Sequence, residues 1–260
     1  MPLLDCHIAE LDSMRKCPKR IYYRGNLELL KKDKISIVGT RRPNGYTKGV
    51  VMQIASSLAS CGIVIVSGAA MGVDAIAHKS AGCSNTIAIM GSGINHRYPK
   101  INSNLIESIE SNGGLILSQF EPDFIATPWS FVVRNELVVA LGQVLVVAQA
   151  DLNSGSMRSV EYAKRMNKPI FVIPHRIGES EGTNSLLESN EAEAIYSVEK
   201  FVNSFGSLKN GKDEDDFIQY CKKSPSFEEA MKKFGQKVLE AELEGTIAIK
   251  DGQVVVVGEL

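Results

Sequence analysis

What the 260-residue sequence lacks narrows its class before anything else. No stretch holds the ~18 uninterrupted apolar residues that a membrane-spanning helix needs. Met1-Pro2-Leu3-Leu4-Asp5-Cys6-His7 has no basic lead into an apolar run, so neither secretion nor membrane insertion is expected. The cysteines (Cys6, Cys17, Cys61, Cys83, Cys221) are odd in number, scattered and without C-x-x-C spacing. They read as reduced thiols of a cytoplasmic protein, not as a disulfide frame or a zinc site. The P-loop pattern G-x-x-x-x-G-K-[ST] is missing, which argues against an NTPase of that class. The first strand is not followed by G-x-G-x-x-G, and Arg41-Arg42 stand where a dinucleotide fold keeps small residues. His7, His96 and His175 sit in neither H-E-x-x-H nor G-x-S-x-G context, and nothing points to a metal or a cofactor.

Charge of one sign is also nearly absent in the sum, since 29 Lys and Arg face 30 Asp and Glu. Its distribution is uneven. Residues 1–60 carry 11 basic against 5 acidic side chains, whereas residues 61–206 carry 10 against 14 and residues 207–260 carry 8 against 11. Positive charge gathered around the first strand favours a local anion site over a surface that is basic all round. On charge alone a solvated basic face with no partner is as good an account.

From Lys34 to Phe201 short apolar runs alternate with helical periodicity. Strands are expected at Ile35–Val38, Ile63–Ser67, Thr86–Met90, Leu115–Ser118, Val144–Ala148, Pro169–Ile173 and Ala194–Tyr196, with helices at Thr47–Ser60, Ile101–Ser111, Phe131–Leu141 and Ser156–Met166. Strands apolar on both faces and separated by helices imply a mostly parallel sheet covered on both sides, a Rossmann-like doubly wound α/β domain over residues 34–204. Residues 1–33 read as a lead-in packing on that domain. Residues 205–212 have linker composition, with Gly206, Asn210 and Gly211. Residues 213–260 then show three short helical patterns (Glu214–Lys222, Ser226–Phe234, Gln236–Glu244) and two strands flanking Asp251-Gly252, together a small winged-helix-like module.

In an open parallel sheet, ligands bind beyond the carboxyl ends of the strands. There the chain concentrates glycines and hydroxyls: Gly39-Thr40-Arg41-Arg42 after the first strand, Ser67-Gly68-Ala69-Ala70 after the second, Gly91-Ser92-Gly93 after the third and Ser154-Gly155-Ser156 after the fifth. Glycine lets backbone N–H groups approach an anion, a following helix start adds partial positive charge, and Arg41 and Arg42 add fixed cations suited to phosphate. One such loop means only a tight turn; four on one sheet edge read as a phosphate-binding rim. Trp129, Phe131, Arg134 and Asn135 form a second grouping, an aromatic pair beside an arginine, as a stacking platform for unpaired bases would need. Phe131 reads equally well as the first core residue of its helix and Trp129 as a lid. Asp74 and His78, one helical turn apart, could form an acid–base pair. More plainly, Asp74 charges a helix start and His78 is a polar neighbour.

Taken together these motifs resemble the DprA/Smf family of natural-transformation and DNA-processing proteins over about residues 15–204. The resemblance is carried by Ile37-Val38-Gly39-Thr40-Arg41-Arg42, by Val66 to His78, by Thr86-Ile87-Ala88-Ile89-Met90-Gly91, by Tyr98-Pro99, by Phe131 with Arg134-Asn135, and by Ser154-Gly155-Ser156-Met157. It implies a competence protein without catalytic turnover that holds and protects incoming single-stranded DNA, dimerises with itself and loads the RecA recombinase. By that resemblance Arg41 would hold a phosphate. Gly39, Thr40, Ser67, Gly68, Ser154, Gly155 and Ser156 would offer donors, Phe131 would stack on a base, and Arg134-Asn135 would brace or contact the strand. Met71, Glu136 and Gln149 depart from the family's usual Arg, Arg and Glu, so a phosphate track leaning on Arg41, Arg42 and the N-terminal lysines is expected. The alternative is a nucleotide-processing hydrolase of the LOG-like Rossmann group, but its Pro-Gly-Gly-x-Gly-Thr loop and following Glu are absent. The helix pattern Gln236–Glu244 carries one lysine against three glutamates, the wrong sign for a phosphate reader, so a protein contact or dimer role is expected for the C-terminal module.

Overall fold

The computed structural model describes residues 3, 4, 7–205, 217, 220, 221, 224–243, 245–250 and 252–257. The chain divides into two compact units, Met1–Leu208 and Lys209–Leu260.

The first unit is built on one eight-stranded sheet. Its strands are β1 (Tyr22–Gly25), β2 (Lys34–Val38), β3 (Val64–Ser67), β4 (Thr86–Ile89), β5 (Leu115–Ser118), β6 (Leu145–Val147), β7 (Ile170–Val172) and β8 (Glu193–Ala194). They lie in the order β1-β5-β4-β3-β2-β6-β7-β8. Every neighbouring pair is parallel except β1 with β5. Between them run α1 (Gly45–Ser60), α2 (Val73–Ala81), α3 (Ser103–Ser111), α4 (Pro128–Leu141), α5 (Gly155–Arg165) and α6 (Glu181–Glu188); α7 (Val198–Asn203) follows β8. The doubly wound α/β expectation holds, with the seven expected strands each shifted by two residues or fewer.

Alternation along the strands explains the two layers. In β2, Ile35 and Ile37 face a core shared with Val51, Ile54 and Leu58 of α1 and Val73 and Ala77 of α2. Val38 and, in β3, Val64 and Val66 face the opposite core, with Leu137, Leu141 and Val160 of α4 and α5. The strands from β2 to β6 therefore bury both faces, which is why their sequences read as nearly continuous apolar runs.

The segment before β2 does more than pack on the domain. Tyr22–Gly25 pairs with β5 in antiparallel register, Tyr22 opposite Ser118 and Gly25 opposite Leu115, and so closes one sheet edge. Four residues with no alternation carry no strand signal of their own; the edge of β5 supplies the pairing.

In the second unit, α8 (Phe227–Phe234) and α9 (Gln236–Leu243) are followed by β9 (Ile247–Lys250) and β10 (Gln253–Val256), an antiparallel hairpin with Lys250 opposite Gln253. Ser226 caps α8 and exchanges hydrogen bonds with Glu229 in a capping box. The proposed linker at 205–212 lies outside the described residues except Phe205, as does most of the expected helix Glu214–Lys222.

Among the described residues no helix is long and apolar enough to cross a membrane, and no three metal-ligating side chains come together.

Candidate functional site

The strand order reverses between β2 and β6, because β3, β4 and β5 lie to one side of β2 and β6, β7 and β8 to the other. The loops leaving β2 and β6 must diverge there, and a crevice opens at their carboxyl ends. A cleft of about 620 Å³ occupies that place. Its walls come from the β2–α1 loop, the β3–α2 loop, the β6–α5 loop and the first turns of α4.

Of the residues expected from sequence, Gly39, Thr40, Arg41, Arg42, Gly68, Phe131, Arg134, Asn135, Ser154, Gly155 and Ser156 all line this cleft. Ser67 does not, and this corrects the expectation: it is fully buried as the last residue of β3, and its hydroxyl donates to the Ile37 carbonyl at 2.6 Å. The N-terminal lysines are a second correction. None lines the cleft. Lys34 opens β2 at the opposite end of the strand, where its ammonium meets the Glu10 carboxylate at 2.7 Å and donates to the Leu30 and Lys32 carbonyls.

The position of the β2–α1 loop follows from two glycines. A Cβ on Gly39 would lie 2.6 Å from Cγ2 of Val73, and one on Gly72 would lie 2.5 Å from the Arg41 carbonyl carbon. Gly72 also holds φ at +78°, which an L side chain resists. These close approaches let the loop sit directly on the start of α2, with the Val73 N–H donating to the Thr40 carbonyl at 3.2 Å. Arg41 and Arg42 are left exposed at the rim.

Helix α4 places the aromatic. Thr127 caps it in a capping box with Ser130, Pro128 takes the first helical position, and the Ser130 hydroxyl donates to the Gly91 carbonyl at 2.6 Å. The next residue, Phe131, is half-buried over Gly91, where any Cβ would lie 2.5 Å from its Cδ1. Tyr98 packs against it with ring centroids 5.7 Å apart. Phe131 is thus a cleft residue and not the first core residue of its helix. Trp129 is 62% exposed, meets Phe120 edge-on at 6.1 Å and lies off the cleft lining.

One turn on, Arg134 enters the interior. It is 4% exposed, and its guanidinium donates to the carbonyls of Gly68 and Ile89 and, through Nε, to Asn135 Oδ1 at 3.1 Å. Burial, offset in part by Asp74, lowers its pKa to about 10, so it remains charged at neutral pH. Asp74 and His78 face the same β3–α2 loop. The Asp74 carboxylate accepts the N–H groups of Gly68 and Ala70 at 3.1 and 3.3 Å. Burial raises its pKa, against the pull of Arg134 and these donors. His78 Nε2 accepts the Ala69 N–H at 3.3 Å while Nδ1 meets Thr86 Oγ1 at 2.6 Å. The Thr86 hydroxyl donates to Ile65, so the ring proton belongs on Nδ1 by the logic of the network. Burial and the Arg134 charge push the His78 pKa down to about 3. Asn102 completes the frame by donating to Ala69 and Ala70. Asp74 and His78 are therefore loop-holding groups, bound to backbone amides rather than to each other.

On the remaining wall α5 begins at Gly155, its N-cap Ser154 making no side-chain cap bond. The hydroxyls of Ser154 and Ser159 are buried at this wall without a hydrogen-bond partner in the described structure. The N–H groups of the first turn of α5, at Gly155 and Ser156, open this wall of the cleft and suit an anion. Ser159 escaped the sequence reading. Its only signal was the 3.6-residue spacing that puts it on the same face of α5 as Ser156.

Two of the departures from the family pattern are also placed. Glu136 accepts the Arg15 N–H at 3.3 Å and is absent from the cleft lining, so its acid charge does not oppose a bound anion there. Gln149 Oε1 accepts the Asn44 N–H and the Thr47 hydroxyl, at 3.0 and 2.9 Å, and anchors the start of α1.

Comparison with known proteins agrees with this geometry. Residues 5–206 match the family described as DNA recombination-mediator protein A. The DNA processing protein DprA of Streptococcus pneumoniae is 34% identical over 188 residues, 71% of this chain and 66% of that protein. The Smf protein of Synechocystis is 33% identical over 199 residues, 74% of this chain and 50% of that protein. The chain thus spans between half and about two thirds of the length of these curated relatives. Among solved structures, DNA processing protein A from Helicobacter pylori, described for its single-stranded DNA binding mode, superposes with a TM-score of 0.76 at 42% identity, covering 78% of this chain and 94% of that one. The S. pneumoniae DprA structure gives 0.73 at 32% identity, covering 79% and 74%. The sequence match, the shared fold and the cleft at the sheet's switch point lead to one conclusion: this chain belongs to the DprA/Smf family, DNA recombination-mediator protein A.

Proposed function

We propose that the protein binds single-stranded DNA in the switch-point cleft, without catalytic turnover, and serves DNA uptake by natural transformation. The observation that carries this reading is the composition of the cleft. Two exposed arginines rise from one loop, a half-buried phenylalanine lies beneath Arg41, and the start of α5 with Ser154, Gly155 and Ser156 forms another wall. Cations and hydroxyls suit phosphate oxygens; an aromatic face suits any base. In this reading Arg41 and Arg42 hold phosphates, Phe131 stacks on a base, and Gly39, Thr40, Gly68, Ser154, Gly155 and Ser156 offer donors. Arg134 and Asn135 brace the loops. The H. pylori relative's description for single-strand binding supports it. So does the commitment of Asp74 and His78 to backbone amides, which leaves the acid–base candidates beside the cleft with structural work.

The finer role follows the family resemblance: a cytoplasmic homodimer that protects incoming strands and loads the RecA recombinase onto them. The free thiols of Cys17, Cys61, Cys83 and Cys221 suit a reducing compartment. For the C-terminal module we assign a protein contact, since α9 exposes Leu239 and Leu243 beside Glu240 and Glu242.

Titration of a labelled oligothymidine at several salt concentrations tests the reading. Affinity should fall steeply with salt, with a slope of about −0.7 per neutralised phosphate. Absence of binding at low salt would overturn it. Recombinase filament assembly on a strand pre-coated with single-strand-binding protein, with and without this protein, tests the loading role.

A further inference from the structure

A second concavity lies on the other side of the Arg41–Arg42 loop. This groove, of about 420 Å³, is lined by Arg41, Arg42, Pro43 and Lys48 from the start of α1 and by Gly72, Ala75, Ile76 and Lys79 from α2. Four of those eight residues are cations and none is an acid. Arg41, Arg42, Lys48 and Lys79 are all exposed, and none forms an ion pair among the described residues. In a chain with a net charge of −1, four unpaired cations around one groove are a local exception. They repel one another unless an anion lies between them. The start of α1 adds to this field, because its first turn holds no acidic residue.

The groove is continuous with the cleft. Arg41 and Arg42 belong to both linings, so their loop is a ridge with the cleft on one side and the groove on the other. Gly72 makes this possible by letting the loop rest on the start of α2, as described above.

We propose that the α1–α2 groove is a second phosphate track, which takes the sugar–phosphate backbone of nucleotides flanking the segment held in the cleft. Lys48 and Lys79 are its contacts, and Arg41 and Arg42 hand the strand from one concavity to the other. Ala75, Ile76 and Pro43 offer no stacking face, so the track reads charge and not base identity. The inference rests on single-strand binding in the cleft. It adds that the footprint is longer than the cleft, and that its outer part is electrostatic alone.

The test compares a short oligothymidine of about 6 nucleotides with a long one of about 20, lengths that bracket a single-strand site. Both are titrated against the full-length protein and the double variant Lys48→Gln, Lys79→Gln. The short strand should bind both proteins equally. The long strand should bind the variant about tenfold more weakly at low salt, with a salt slope smaller by about 1.4, twice the value for one phosphate. A control variant, Lys32→Gln with Lys200→Gln, removes the same charge from exposed positions outside both concavities and should behave as the parent. Equal affinity and slope of parent and variant for the long strand would overturn the proposal. So would equal weakening by the control, which would make the effect one of net charge. If the parent binds neither strand, the cleft reading itself fails and takes the track with it. That outcome is distinguishable because the short strand fails too.

Discussion

The Arg41 guanidinium carbon stands 5.9 Å from the centroid of the Phe131 ring, although the two residues come from the β2–α1 loop and from α4. The cation and the aromatic face that a nucleotide would need are thus a few ångströms apart in the free protein, and little rearrangement is required to engage phosphate and base together. Arg41→Ala should weaken binding on every sequence and reduce the salt slope by about 0.7 for each phosphate it neutralises. Phe131→Ala should weaken binding by about 1–3 kcal/mol with the slope unchanged, since stacking releases no counterion. Anisotropy titrations of each variant across salt concentrations separate the two.

Arg134 gives the contrary case. Its guanidinium serves the carbonyls of Gly68 and Ile89 and lies near the buried Asp74, so removing it strands an acid and two acceptors. Arg134→Met should lower unfolding free energy by about 3–5 kcal/mol, the range for breaking a buried charge pair. Arg134→Lys should recover only part, because one ammonium on a shorter polar head does not serve both carbonyls and Asn135 as the guanidinium does through Nη1 and Nε. Urea denaturation reads both. Arg41→Ala, at an exposed position, should leave the midpoint in place.

Stability should depend on His78 in mildly acidic solution. Its folded pKa, about 3, lies below the ordinary value of 6.5, so the unfolded chain binds the proton more readily than the folded one. Stabilisation from the neutral ring is complete above pH 6.5 and is lost as pH falls below it. Between pH 6.5 and pH 5 the loss from this one group is about 2 kcal/mol. His175, whose pKa burial also lowers, acts in the same direction. Thermal unfolding followed at pH 8, 6.5 and 5 should show the decline. His78→Gln should start less stable and decline less over that window.

Gly72→Ala should damage stability and binding together. The methyl would meet the Arg41 backbone and the residue would be held at φ +78°, at a combined penalty of about 1–3 kcal/mol. Relief requires the β2–α1 loop to lift away from α2, which moves Arg41 away from Phe131. A variant that unfolds earlier yet binds single strands like the parent would show that the loop's seat on α2 is not what sets the arginines.

The sequence by itself determined the doubly wound sheet and the edge on which function gathers. Apolar runs buried on both faces admit few other arrangements, and glycine-rich loops after parallel strands necessarily meet at the carboxyl ends. Eleven of the twelve expected site residues accordingly line one cleft. Tertiary structure alone decided what each side chain does there. Ser67, Asp74, His78 and Arg134 are polar groups near that edge, yet each is bound to main-chain groups, among them those of Ile37, Gly68, Ala69 and Ile89, far from them in sequence or folded back by the loop. A polar residue beside a ligand and one holding a loop look alike in a sequence, because the difference lies in where its partner ends up. The strand Tyr22–Gly25, formed only because β5 offers an edge, and the groove of Lys48 and Lys79, formed only where two helices meet, escaped the sequence for that same reason.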